Sequence, residues 1–291
     1  MSARLEIPKM YKLFIGGKFT RTESERYLDA LNPKSGEKLC NISRASRKDL
    51  RNSVVAARAG FNDWSGKTAY ERGQIMYRLA EMLEGRKEQF IKEVYISTKQ
   101  NKSESRKEVD KAIDRIIFYA GFCDKWVQLV GTVNPVQSGY FNFSIPEPTG
   151  IVGIILPDTL SFLPLITRVA ITLTAGNSCI VLANDKAPLP ALTFSEVIAT
   201  SDFPSGVINI LTGKKSEIIP HITGHFDVNA MDYCDESVEL KKKIQELCAN
   251  NVKRFHSLPV NWNWYSDDMN ESLKEIEKFI EIKTVWHTMG M

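Results

Sequence analysis

The sequence lacks the features that would assign it to several large classes of protein. No apolar run in its 291 residues reaches the length that crosses a membrane, and the opening MSARLEIPKMYKLF has no apolar core of a signal peptide. The 38 basic and 35 acidic side chains leave a net charge of only +3, so a strongly basic surface for nucleic acid is not predicted. We therefore expect a cytoplasmic protein that binds neither membrane nor nucleic acid.

Cysteine and histidine are also scarce. The five cysteines are an odd, scattered set without CxxC spacing, which is typical of a reducing compartment. The four histidines form no metal-ligand set with cysteines or carboxylates, so no metal site is predicted. No GxSxG motif is present, although a Ser-His-Asp triad built from other elements stays open.

What the sequence does contain is a regular alternation of β-rich and helical segments in its second half. Five short β-rich runs are separated by apolar helical segments, and this order predicts an α/β fold with a Rossmann-like parallel sheet of about five strands flanked by helices. The β-rich runs are 150–156, 178–182, 207–213, 229–235 and 254–259, and the helical segments lie near 160–174, 188–200, 215–223 and 236–249. Ligands of such sheets bind beyond the carboxyl ends of the strands, where the turn 156–159 falls.

The segments before and after this alternation predict a hairpin, amphipathic helices and further extended chain. Gly16-Gly17 predicts a hairpin turn, and Ser46 with Asp49 predicts a capping box at the start of the first of several amphipathic helices. Residues 131–149 are aromatic and bounded by prolines, which predicts extended chain or a hairpin. The alternation in 280–286 predicts a last strand that pairs either within this chain or with a neighbouring subunit.

In their order and spacing these segments resemble the NAD(P)-dependent aldehyde dehydrogenase superfamily. The resemblance is carried by FIGGKF, AARAGFNDW, PEPTGIVGII, AGNSCIVLANDKAPLPAL, FPSGVINILTG and the tail EIEKFIEIKTVW. It implies a cofactor-binding-type domain over 1–130 and 150–260, with oligomerisation elements at 131–149 and 270–291. Between Pro259 and Asn270 the family has an entire catalytic domain with its cysteine nucleophile, so the resemblance implies that this domain is absent here.

The turn after the first strand of the parallel sheet departs from the family pattern. The family has Pro-Trp-Asn, whose asparagine stabilises an oxyanion. This sequence has Pro157-Asp158-Thr159, in which a carboxylate would oppose developing negative charge. We expect Asp158 or Thr159 to cap the following helix instead.

The positions that would hold the cofactor have changed as well. The lysine and glutamate that hold the ribose in the family align with Leu182 and Asp185, and Asp185 retains a carboxylate that can accept a hydrogen bond. Of two glycines after the third strand, Gly213 is kept and the second is Lys215, which together with Lys214 we expect to be solvated.

The last two site positions follow the fourth and fifth strands. A Gly-Ser pair beside the pyrophosphate is replaced by Asp235-Glu236, which we expect to face the macrodipole of the next helix. The general-base glutamate aligns near Ser257-Leu258-Pro259, which offers no carboxylate; the neighbouring His256 could accept a proton but has no nucleophile to activate.

The resemblance therefore predicts no catalytic residue, and only a vestigial pocket at Leu156, Pro157, Asp185 and Gly213. We expect a catalytically inactive aldehyde dehydrogenase-like protein that acts as a structural or regulatory subunit, in a homo-oligomer or a hetero-oligomer with a full-length aldehyde dehydrogenase. Two alternatives remain: a module that binds NAD(P) or another nucleotide, and an active NAD(P)-dependent aldehyde oxidoreductase.

Overall fold

The structure, a computed structural model, describes residues 9–137 and 139–289. Residues 1–8, which belong to the opening segment that lacks the apolar core of a signal peptide, lie outside the described residues. The helices of the described part are α1 (Arg47–Ser65), α2 (Ala69–Gly85), α3 (Lys87–Ser97), α4 (Lys102–Ala120), α5 (Trp126–Val130), α6 (Leu163–Thr174), α7 (Leu189–Ala199), α8 (Lys215–Gly224), α9 (Val238–Ala249), α10 (Asp267–Asn270) and α11 (Leu273–Glu277). The strands are β1 (Met10–Tyr11), β2 (Leu13–Ile15), β3 (Lys18–Thr20), β4 (Tyr27–Leu31), β5 (Lys38–Ser43), β6 (Thr132–Asn134), β7 (Tyr140–Pro148), β8 (Ile151–Ile155), β9 (Ser178–Leu182), β10 (Ile208–Leu211), β11 (Ala230–Tyr233), β12 (Arg254–Ser257) and β13 (Ile280–Thr288).

The central sheet contains the five parallel strands that the sequence predicts. They lie side by side in the order β12, β11, β8, β9, β10. The predicted hairpin of β2 and β3 is confirmed, with Gly16 and Gly17 at φ +59° and +75° as the tight turn requires. The hairpin also joins β10 in antiparallel fashion, so the sheet has seven strands rather than five.

Helices cover both faces of this sheet. Alternate residues of β9 show the two faces, because Cys179 and Val181 lie in one apolar cluster while Ile180 and Leu182 lie in another. The first cluster includes side chains of α2, α4, α6 and α7, and the second includes side chains of α1, α8 and α9. Burial on both faces explains why these strands are continuous apolar runs.

The predicted capping box at the start of α1 is confirmed. The backbone N–H of Ser46 donates to Asp49 Oδ2 at 2.7 Å, and the Ser46 hydroxyl accepts from the backbone N–H of Asp49. Thr22 Oγ1 also donates to Asp49 Oδ2 at 2.7 Å, which ties the cap to the chain before β4.

A second antiparallel sheet joins the two predicted peripheral segments. β13 pairs with β7 over nine residues, from Ile280 opposite Pro148 to Thr288 opposite Tyr140, and β6 pairs with the other edge of β7. Of the two pairings left open for the last strand, the structure shows the one within the chain. A third small sheet has the order β1, β5, β4.

The segment between β12 and β13 is docked on the α4 and α6 side of the molecule. Arg115 of α4 is fully buried, donates to the carbonyl oxygen atoms of Trp264 and Ser266, and forms an ion pair with Glu271. Tyr119 Oη donates to the carbonyl oxygen of Asn270 at 2.7 Å. This short connection is therefore an ordered part of the core rather than a loose loop.

Candidate functional site at the carboxyl ends of the strands

Four charged residues meet at the carboxyl ends of four adjacent strands. Asp158 follows β8, Asp185 follows β9, Lys215 follows β10 and Asp235 follows β11. We call these four residues the charged cluster. They lie where a sheet of this kind offers a ligand crevice.

Lys215 is the centre of the charged cluster. Its Nζ atom lies 2.5 Å from Asp158 Oδ1 and 2.5 Å from Asp235 Oδ2, and its side chain is only 6% exposed. Its backbone N–H donates to Asp185 Oδ2 at 3.1 Å. The exposed Lys186 approaches Asp158 from the solvent side, at 3.4 Å. The carboxylates of Asp158 and Asp235 thus flank one buried ammonium group, and the carboxyl group of Asp185 accepts from the backbone of the same residue.

The electrostatics of the charged cluster shift two pKa values. Burial alone would lower the pKa of Lys215, but the charges of Asp158 and Asp235 outweigh it and raise that pKa above its ordinary value. The pKa of Asp185 is raised to about 6, chiefly because the surrounding protein desolvates its carboxyl group, although the residue keeps an exposed side. Lys215 opposes this shift, whereas Asp158 and Asp235 add to it.

The arrangement is unfavourable for a diphosphate. Three carboxyl groups meet two lysines here, Lys215 and the exposed Lys186, so the surroundings offer a bound pyrophosphate no excess of positive charge. Each partly desolvated pair of like charges at close range costs on the order of a kcal/mol or more.

The prediction that Asp158 or Thr159 caps the following helix is wrong. α6 begins at Leu163 without a cap from its own segment. The backbone N–H groups of Ser161, Phe162 and Leu163 instead donate to Glu108 Oε1, at 3.1, 2.6 and 3.1 Å. Glu108 is a buried residue of α4, and its negative charge is well placed at a helix N-terminus.

The predictions for the two other changed turns are also partly wrong. Lys214 is exposed as expected, but Lys215 is buried and paired. Asp235 Oδ2 accepts from Lys215, while its Oδ1 accepts from the backbone N–H of Glu236 at 2.7 Å, just before the Ser237 cap of α9.

The vestigial-pocket residues have structural surroundings of their own. Leu156 and Pro157 are buried, as is Leu182 at the end of β9. Gly213 has φ +150°, and a Cβ atom there would lie 3.1 Å from the backbone nitrogen of Ala45. A close approach of two backbone segments therefore explains this glycine without a ligand.

The described cysteines offer no activated nucleophile. All five are free and buried. Burial raises the pKa of Cys40, Cys123 and Cys248 to about 11, and raises the pKa of Cys179 and Cys234 further. Since the thiolate is the reactive form, these side chains behave as small apolar residues.

A second buried charged group, which sequence reasoning missed, contains His256. Arg168 of α6 bonds Asp232 of β11 at 2.6 Å and Glu275 of α11 at 2.6 Å. His256 Nδ1 lies 2.8 Å from Asp232 Oδ1. Burial would raise the pKa of Asp232, but Arg168 and His256 hold it well below its ordinary value. His256 thus belongs to a buried network that joins the sheet to α11.

The described residues contain neither a membrane-spanning helix nor a cluster of metal ligands. Across 9–137 and 139–289, no helix combines the length and the apolar composition needed to span a membrane. Over the same ranges, no group of three or more His, Cys, Asp or Glu side chains is placed to hold a metal ion.

The match to known proteins assigns the chain to a family. Residues 19–258 match the aldehyde dehydrogenase family, and the chain belongs to it. It is 32% identical over 246 residues to the putative aldehyde dehydrogenase DhaS of Bacillus subtilis (strain 168), and this match covers 84% of this chain and 49% of that protein. It is 30% identical to the cytosolic 10-formyltetrahydrofolate dehydrogenase of Mus musculus, over 86% of this chain and 28% of that protein.

Solved structures show the same fold. An aldehyde dehydrogenase from Bacillus cereus, solved as an NAD+ complex, superposes with a TM-score of 0.82 at 23% identity and covers 86% of this chain and 50% of that one. A putative aldehyde dehydrogenase from Burkholderia cenocepacia gives a TM-score of 0.81 at 29% identity, over 85% of this chain and 50% of that one. The chain thus has the fold of the family's NAD-binding domain, and it spans about half the length of DhaS.

Proposed function

We propose that this chain is a catalytically inactive member of the aldehyde dehydrogenase family that acts as a structural or regulatory subunit of an oligomer. The observation that carries the proposal is the charged cluster. Lys215 and Asp235 lie at positions where the family has glycines. Asp158 lies in the turn that, in the family, carries the oxyanion-stabilising asparagine. Their ion pairs occupy the crevice with protein charges.

The docked segment between β12 and β13 supports the absence of the catalytic domain. This segment aligns with the point at which family members insert that domain. Buried arginines hold it in place, with Arg115 bound to Glu271 and Arg168 bound to Glu275. Each of these arginines thus has a carboxylate partner within the segment, and loss of either partner would leave a buried charge unpaired.

The antiparallel sheet of β6, β7 and β13 supports the subunit role. Val133 and Val285 both lie opposite Phe143 in the strand register, so they share one face of this sheet, and they are 68% and 40% exposed. Contiguous exposed apolar surface of this kind is typical of contacts between proteins. We place this subunit in the cytoplasm, in line with the free buried cysteines.

The catalytic half of the proposal is tested by turnover. The purified chain is incubated with NAD+ or NADP+ and a panel of aliphatic and aromatic aldehydes, and reduced cofactor is followed at its absorption band, with a full-length aldehyde dehydrogenase as the positive control. We expect no rate above the blank. A rate that scales with the concentration of this chain would contradict the proposal.

The subunit half is tested by mass in solution. Light scattering after size exclusion should give a multiple of the 32.9 kDa chain mass for the chain alone, or a peak that contains both chains in a mixture with a full-length aldehyde dehydrogenase. Val133→Glu should break the assembly, whereas Tyr70→Glu, at an equally exposed site on α2, should not. A strict monomer in both mixtures would overturn this half.

A further inference from the structure

A cavity lies between α1 and α8. Its volume is about 590 Å³, and most of the side chains that line it are basic. From α1 come Arg47, Lys48, Arg51 and the apolar Leu50, and from the end of α8 come His221 and His225. This cavity is separate from the charged cluster: Lys215 opens α8 and His225 lies ten residues later, about 15 Å along a helix.

Two pairs of basic side chains line the cavity, one pair from each helix. Arg47 and Arg51 are four residues apart on α1, and His221 and His225 are four residues apart at the end of α8, so each pair lies on one face. The two helices are tied together at both ends. Arg44 pairs with Glu217, and Arg58 Nη2 donates to the carbonyl oxygen of Asp227 at 2.7 Å.

The positive charge of the cavity is largely uncompensated. None of its lining residues is acidic. Within the described ranges, Arg47 and Arg51 form no ion pair, and Lys48 pairs only at its exposed end, with Glu23. The ammonium group of Lys253 donates to the carbonyl oxygen of His225. The pKa of Lys253 is lowered to about 8, chiefly by burial.

Burial and three charged groups act on the imidazole of His225. Burial lowers its pKa, Asp227 has the largest charge effect and raises it, and Lys253 and Arg51 lower it further. Arg51 of the cavity lining therefore lies near enough to His225 for their charges to interact. In the charged cluster, by contrast, two carboxylates flank one ammonium group.

We propose that this cavity is a binding site for a small organic phosphate, held by the guanidinium groups of Arg47 and Arg51 and by the imidazoles of His221 and His225. Arginine suits this ligand because its planar fork matches phosphate oxygens. Leu50 and Pro220 supply apolar walls for the organic part of the ligand. The site does not depend on the proposed loss of catalysis.

The test is a calorimetric titration of the full chain with phenyl phosphate, inorganic phosphate and benzoate. We expect phenyl phosphate to bind at one site, more tightly than inorganic phosphate and more tightly than benzoate. The ring signals of His221 and His225 should shift in NMR spectra during the titration. No saturable heat at 10 mM phenyl phosphate (on the order of the weakest specific affinities) would overturn the proposal, as would benzoate binding equally well.

Matched variants separate this site from general attraction to a basic protein. Arg47→Gln/Arg51→Gln should weaken phenyl phosphate at least about tenfold. Lys242→Gln/Lys243→Gln removes the same two charges from the exposed face of α9 and should leave the affinity within about twofold. Equal loss in both double variants, or loss in neither, would contradict the assignment. Both should melt within about 2 °C of the parent, since surface substitutions change stability little.

Discussion

Replacing Lys215 tests the energetics of the charged cluster most sharply. In Lys215→Met the ammonium group between Asp158 and Asp235 is lost, and both carboxylates keep their positions without it. Removing one partner of a buried ion pair costs about 3–5 kcal/mol. Asp158 is 27% exposed and Asp235 is 15% exposed, so water screens part of the defect and we expect a loss of about 2–3 kcal/mol.

The neighbouring lysine provides the control. Lys214 is exposed, so Lys214→Met should change the free energy of unfolding by less than about 0.5 kcal/mol. Urea unfolding at pH 7.5 measures both variants. For a chain of this size the loss in Lys215→Met corresponds to a melting temperature lower by about 3–5 °C. The pKa of Asp185 should also rise above 6 in this variant, since Lys215 lowers it. Equal stability of the two variants would refute the reasoning.

Three further predictions concern other buried charges. Arg168→Met should lower the free energy of unfolding in urea by about 3–5 kcal/mol, because Asp232 and Glu275 stay buried without their partner. The control Arg254→Met removes an exposed ion pair and should cost less than about 1 kcal/mol. Equal losses in the two variants would contradict this prediction. Glu108→Ala should lower the free energy of unfolding by about 1–2 kcal/mol, and Glu108→Gln should lower it less, since glutamine keeps an acceptor for the α6 amides. Amide hydrogen exchange at the start of α6 should become faster in Glu108→Ala, and unchanged exchange would argue against the cap. Asp185 has a folded pKa above its unfolded value, so its contribution to stability grows as pH falls from 7 through 6 towards 4. Asp185→Asn should therefore be more stable than the parent at pH 7.5, lose part of that advantage by pH 5 and lose most of it by about pH 4, and a constant difference would contradict the shift.

The sheet and its main helices could be predicted because their signals are local. Five apolar runs separated by helical segments allow few arrangements, and Ser46 with Asp49 forms a cap within one turn of helix. The pairing of the last strand could not be chosen, because β13 and β7 are more than 130 residues apart and the sequence carries no register between them.

The errors at the candidate site share one cause, which is that the partners come from distant segments. The cap of α6 comes from Glu108, which lies 53 residues before Ser161. The burial of Lys215 depends on carboxylates that follow two other strands. A usable signal was present for Arg168, since a charged residue in the apolar helix LPLITRVAITLT needs a buried partner, but spacing alone does not identify Asp232.

The most direct test of the central claim is a calorimetric titration of the parent chain with NAD+. We predict no saturable binding, because Asp158 and Asp235 pair with Lys215 at the carboxyl ends of the strands and oppose a diphosphate there. Lys215→Gly/Asp235→Gly, which removes a paired cation and anion together, is the matched variant in which weak binding would appear if the crevice is otherwise intact. Saturable binding of NAD+ to the parent chain, at a Kd below about 100 μM, would contradict the account.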